Sequence, residues 1–154
     1  MAAPGSLPAK AGVARRRRPF TVAEANRALT LVRRITQDIV AAYGAYTGRL
    51  ASVDAASPVE KTTARHLHRD EIEDARSRLD GYIAELQSVG LELDDPEQGI
   101  VHFPARHKGR DICLCWRMGE DSVMYWHELH ENFASRKPVS MLVDDEPPPA
   151  GGRQ

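Results

Sequence analysis

The chain has 154 residues, with 21 Lys and Arg against 22 Asp and Glu, a formal charge of −1 and 42% hydrophobic residues. This size allows one domain with tails. The even balance excludes a wholly basic nucleic-acid protein and a wholly acidic solvating chain, and the apolar runs fall far short of the ~18 residues of a membrane span.

Residues 1–18 are rich in Ala, Gly, Pro and Ser and carry five positive charges without a negative one. Such a segment has little to bury and is predicted to be a disordered basic arm. Its end, Arg15-Arg16-Arg17-Arg18, offers either a solvated tail or an electrostatic arm for nucleic acid or an acidic partner. No secretory signal is expected at this start. Two cysteines spaced Cys113-Leu114-Cys115 make no disulfide framework, so the expected location is cytoplasmic.

The folded domain is expected over 19–143, followed by a disordered tail over 144–154. Helix one is placed at 20–54. Thr21 and Glu24 form a capping box, with Phe20 at the staple position before it. Val22, Ala25, Leu29, Val32, Thr36, Ile39, Tyr43, Tyr46, Leu50 and Val53 then recur in steps of three and four, the period of a coiled-coil seam. Gly44 and Gly48 weaken its far end. Helix two is placed at 57–90. Ser57-Pro58-Val59-Glu60 is a second capping box, and Gly90 ends the helix with Leu91 packing back on Leu86. The short link makes the two helices a long antiparallel coiled-coil hairpin. Between Lys61 and Asp70 helix two is mostly polar, so the pair alone leaves part of helix one uncovered. Either a second copy of the chain covers it, making a homo-oligomer, or the C-terminal segment folds back over it. His66 and His68 lie two apart and point away from each other on a helix, so they cannot share one metal.

After Pro96 the pattern changes to period two. A small three-stranded antiparallel meander is expected within 99–130, with strands at 100–103, 111–118 and 123–128. Ile112, Leu114, Trp116 and Met118 share the apolar face, and Cys113, Cys115 and Arg117 share the other. Pairing of Ala105 with Arg110 sets His102 opposite Cys113. The second turn decides the third strand. A two- or four-residue turn puts Trp126 and Glu128 beside the cysteines. A three- or five-residue turn puts His127 there instead, and gathers His102, Cys113, Cys115 and His127 on one face. Thiolate and imidazole are the ligands zinc favours, and sulfur also suits copper or iron. The plainer alternative is a pair of small buried cysteines beside a hydrogen-bonded histidine. Trp126-His127-Glu128-Leu129-His130-Glu131 is not a zinc-protease helix, because its histidines are three apart where that motif needs four. A general acid-base role for His127 and Glu128 lacks a nucleophile and a substrate cradle.

The run Phe20 to Asn26, the segment Gly99-Ile100-Val101-His102-Phe103-Pro104-Ala105, the segment Cys115-Trp116-Arg117-Met118-Gly119-Glu120 and the segment Tyr125-Trp126-His127-Glu128 together resemble a bacterial family of small proteins known only as a domain of unknown function. The resemblance covers about Pro19 to Pro138 and implies a shape without an activity. It implies an acidic residue more often at the positions of His102 and His130, and so directs attention to Cys115, Trp116, Arg117, Glu120, Trp126, His127 and Glu128.

Three functions follow as expectations for this α+β chain. The first is an interaction or scaffold protein that self-associates, or binds a protein partner, through its helices. The second is a small metal- or ligand-binding protein, with or without catalysis, built on Cys115 and His127 with Cys113, His102, Arg117, Glu120 and Glu128 nearby; zinc or another transition metal would be its cofactor. The third is nucleic-acid binding through Arg15, Arg16, Arg17 and Arg18.

Overall fold

A computed structural model describes residues 18–55 and 58–145. The long first helix, α1, spans Val22–Asp54. Its capping box forms as the sequence requires: the Thr21 hydroxyl accepts from the Glu24 amide at 3.0 Å, and Glu24 accepts from the Thr21 amide at 3.0 Å. Phe20 sets its ring edge-on to Phe103, 5.2 Å between centroids, and so ties the helix start to the sheet.

The second helical stretch is not one rod. It divides into α2, Pro58–Leu67, and α3, Arg69–Ser88, with His68 between them out of helical geometry (φ −105°, ψ 11°). The Ser57 cap and the Arg15–Arg17 stretch lie outside the described residues. Gly90, at φ 96°, ends α3 as expected; the Leu91 amide donates back to Leu86 at 3.3 Å, and both side chains are buried. α1 and α3 lie side by side, joined at their far end by Arg49 to Glu71 at 3.0 Å.

The sheet has five antiparallel strands in the order β1-β2-β3-β4-β5: Glu92–Asp95, Ile100–His107, Arg110–Arg117, Tyr125–Glu128 and Lys137–Pro138. Three were expected. The two extra ones are edges: β1 is acidic with one apolar residue, and β5 is two residues long. Neither carries an alternating apolar pattern to read. A 3₁₀ segment, Val139–Asp145, closes the described chain.

β2 runs straight through Pro104, where a strand end was expected. β1 pairs only with Ile100 to His102, so at Pro104 the strand is an outer one and the missing N–H costs nothing. Its carbonyl is taken by the Phe20 amide at 2.7 Å. The β2–β3 turn is also tighter than expected. His107 pairs with Arg110, and Lys108 and Gly109 both have positive φ, 54° and 77°, as a two-residue type I′ hairpin demands. The register moves by two residues: every side chain keeps its face, but His102 lies opposite Cys115 rather than Cys113.

One face of the sheet packs on the helices. Val101, Phe103, Ile112, Leu114, Trp116 and Trp126 join Ala25, Leu29, Val32, Ile35, Ile39 and Leu86 in one core. The C-terminal segment therefore folds back over the first part of the α1 seam. Burying a large aliphatic or aromatic side chain in such a core is worth about 1.5–3 kcal/mol.

Candidate metal centre

The other sheet face carries the polar chemistry. Cys113 pairs with His127, Leu114 with Trp126 and Cys115 with Tyr125. This is the register of the odd-numbered turn, so His127 stands on the cysteine face. Trp116 and Trp126 lie on the helix side. So does Glu128, which pairs with Ile112 and accepts from Arg110 at 3.0 Å. Glu128 is thus removed from the cluster, as is any acid-base couple of His127 with Glu128.

Three adjacent strands deliver the cluster. His102 comes from β2, Cys115 directly opposite it from β3, and His127 diagonally from β4. Among the described residues, their ligand atoms form a group within 4.8 Å of one another. Cys115 and His127 are 0% and 1% exposed, and the His102 side chain 14%. The imidazole Nε2 atoms of His102 and His127 lie 3.3 Å apart, their rings nearly perpendicular at 77°. His127 Nδ1 is 2.7 Å from the Glu128 carbonyl oxygen. A carbonyl only accepts, so Nδ1 carries the proton and donates it. With Nδ1 engaged by the carbonyl, Nε2 is the ring nitrogen that faces the cluster. A metal-ligating histidine is oriented by the same arrangement.

Burial favours the neutral forms of His102 and of the two thiols. Burial lowers the His102 pKa against the opposing pull of Asp94, with His127 lowering it further. Burial pushes the Cys115 thiol up to about 11, partly offset by Arg136, and the Cys113 thiol up to about 12, with Glu92 and Cys115 adding to the rise. Desolvation thus disfavours the imidazolium of His102 and the thiolates of both cysteines. A cation entering would displace the thiol proton and keep the thiolate paired.

The turn and the segment after β4 roof this face. Glu120 meets the guanidinium of Arg136 at 2.9 and 3.1 Å, with side chains only 13% and 12% exposed. The expected pairing of Glu120 with Arg117 takes a different form: Glu120 accepts from the Arg117 backbone amide at 3.0 Å, while the Arg117 guanidinium lies over Phe133. Arg136 stacks on Tyr125 and Phe133, 4.2 and 3.7 Å from the ring centroids, a partly desolvated cation–π arrangement. Trp116 donates from Nε1 to the Glu120 carbonyl at 3.0 Å. Gly119, at φ 106°, makes the turn. Cys-Trp-Arg-x-Gly-Glu is therefore largely an architectural motif: it holds the turn and, through Glu120, fastens Arg136 over the cysteine face.

His130 is exposed and Glu131 is held by Lys137 at 2.6 Å and by the Glu128 amide at 3.0 Å, so no site forms from His127, His130 and Glu131. Cys113 lies on the face but outside the group of three. Arg18 lies 3.5 Å from Glu24 on an exposed surface. Sequence reasoning missed Asp94, whose carboxylate is 3.8 Å from His102 Nε2, and Arg136. Asp94 sits on an unrecognised edge strand, and Arg136 lies in a segment with no periodic signal.

No helix among the described residues is long and apolar enough to cross a membrane. No curated protein and no solved structure matches the chain. A family model described as an uncharacterized conserved protein, DUF2203, matches residues 18–139, and over that span, which takes in the helices and the whole sheet, the chain belongs to this family.

Proposed function

We propose that the protein binds a late first-row divalent cation, zinc foremost, through His102, Cys115 and His127. The observation that carries the reading is the 3.3 Å separation of two Nε2 atoms beside a buried thiol. Two imidazole nitrogens at 2.0–2.1 Å from a tetrahedral zinc stand about 3.3 Å apart. The donor set of two nitrogens and one sulfur suits zinc, and the Nδ1 donation of His127 supports its orientation. A reducing compartment, and so a cytoplasmic location, belongs to the same reading, because Cys115 must be a free thiolate to ligate. The test is elemental analysis of protein purified without a tag. About one equivalent of metal, lost in Cys115→Ser and in His127→Ala, supports it. Less than a tenth of an equivalent, unchanged by either substitution, contradicts it.

A second reading, self-association through the helices as a coiled-coil hairpin, draws on the far end of α1. There Leu50 is exposed, and Ala41, Ala42 and Ala45 face Ala75 and Tyr82 across an open groove beside Arg49 and Glu71. The covered seam from Ala25 to Ile39 removes much of the motive for a partner there. Sedimentation checks it: a dimer weakened by Leu50→Glu supports it, and a monomer at high concentration contradicts it.

A further inference from the structure

We propose that Asp94 is the fourth protein ligand of this centre, so that His102, Cys115, His127 and Asp94 close the coordination sphere and clamp edge strand β1 to the sheet. The assignment rests on the reading that His102, Cys115 and His127 hold a cation.

Three observations converge on Asp94. The first is position. His102 Nε2 faces two groups: His127 Nε2 at 3.3 Å and Asp94 Oδ2 at 3.8 Å. Around a tetrahedral zinc, a nitrogen and a carboxylate oxygen stand about 3.3 Å apart, so the Asp94–His102 separation has to shorten by about half an ångström, with the carboxylate, now outside the group of three, swinging toward Cys115 and His127. The second is backbone geometry. The β1–β2 register slips between Leu93 and Asp95: Leu93 pairs with Val101 and Asp95 with Ile100. Asp94 is thus the extra residue of a β-bulge, a device that re-aims one side chain and recurs beside functional sites. The third is charge. A divalent cation with one thiolate and two neutral imidazoles leaves one net positive charge in a buried site. One carboxylate makes the centre neutral, which desolvation favours.

The competing donors are less well placed. Cys113, like Asp94, stands outside the group of three, but it is Asp94 that approaches His102 Nε2, at 3.8 Å. Glu120 is already held by Arg136 and by the Arg117 amide. Asp94 keeps 42% of its side chain exposed and so offers the cation an entry path from water. Four protein ligands leave no position for a substrate or an activated water, which is the mark of a structural rather than a hydrolytic zinc site. The centre then acts as a fastener. β1 carries a single apolar residue, Leu93, and the cation supplies the attachment that its sequence lacks.

The experiment uses the full chain, without a tag, as wild type, Asp94→Asn, Cys113→Ser and Cys115→Ser. Zinc affinity is measured by competition with a chromophoric chelator, Co²⁺ replaces zinc for its visible d–d spectrum, and hydrogen exchange follows the β1 amides. Asp94→Asn should weaken zinc at least 10-fold and alter the Co²⁺ bands, while Cys113→Ser leaves both unchanged. Chelation should speed β1 exchange in wild type and leave it unaltered in Asp94→Asn. Equal melting of the metal-free Asp94→Asn and wild-type proteins shows that the variant folds. Asp94→Asn with wild-type affinity and spectrum overturns Asp94 as ligand while the three-residue site stands. Loss of zinc in Cys113→Ser but not in Asp94→Asn overturns it in favour of Cys113. Wild type that takes up no zinc, like Cys115→Ser, overturns the site and this assignment together.

Discussion

Replacing Arg136 by Met strands the Glu120 carboxylate. Glu120 and Arg136 meet at 2.9 Å with side chains 13% and 12% exposed, so water cannot fully re-solvate the survivor. Removing one partner of a buried pair costs 3–5 kcal/mol. Residual exposure and the Arg117 amide, which still donates to Glu120, place the cost at the lower end, about 3 kcal/mol. The stacking of Arg136 on Tyr125 and Phe133 is partly kept by the methionine stem. Urea unfolding with a slope near 1.5 kcal/mol/M then shows a midpoint lowered by about 2 M. Glu120→Gln alone is also destabilising, but the double variant leaves no lone charge. It should therefore be more stable than the sum of the single losses by about 1–3 kcal/mol. A single-variant loss below about 0.5 kcal/mol, the level of an ordinary surface substitution, or strictly additive losses, would refute the view that this pair fastens the roof of the cysteine face.

Other consequences can be checked by standard means. Thr21→Ala removes the acceptor for the Glu24 amide and should cost about 1 kcal/mol in thermal or urea unfolding. At Gly99, φ is +74° and a Cβ would lie 2.9 Å from Met118 Cβ; Gly99→Ala combines a left-handed conformation with overpacking and should cost about 2 kcal/mol or more. Lys137, and then the Glu128 amide, lower the Glu131 pKa. A carboxyl with a lowered folded-state pKa contributes stability above its unfolded value of about 4.3, and loses it as pH falls through the folded value. Glu131→Gln should therefore flatten the acid limb of a stability–pH curve below about pH 4.3 and leave the neutral region without that slope. With thiol pKa values raised to about 11 and 12 and both sulfurs buried, neither cysteine should react with a thiol reagent at neutral pH until the protein unfolds; prompt labelling of the native protein would contradict the burial.

Much of the fold was legible because local chemistry and packing agree. The Thr21–Glu24 box and the three-four rhythm define α1, and Gly90 with Leu91 defines the end of α3. The alternation of Ile112, Leu114 and Trp116 defines the central strand and its two faces. What escaped reading depends on partners distant in sequence. β1 is a strand because β2 offers it an edge, and Pro104 is tolerated because β1 stops short of it. The break at His68 interrupts a polar stretch with no periodicity to betray it. At the site, the residue types and the face were readable, but the register was not. One added residue in the second turn moves His127 across the sheet, and only the packed turn, with Glu120 locked to Arg136, decides it. Asp94 was hidden for the same reason as its strand: a bulge is set by pairing, not by composition.

The most direct test of the central claim is the metal content of the untagged protein, measured beside Cys115→Ser and His127→Ala. The account predicts about one zinc per chain in the native sequence and loss in both variants. Less than a tenth of an equivalent of any transition metal, the same in all three proteins, would contradict it and leave the His102–Cys115–His127 group as a hydrogen-bonded element of the sheet.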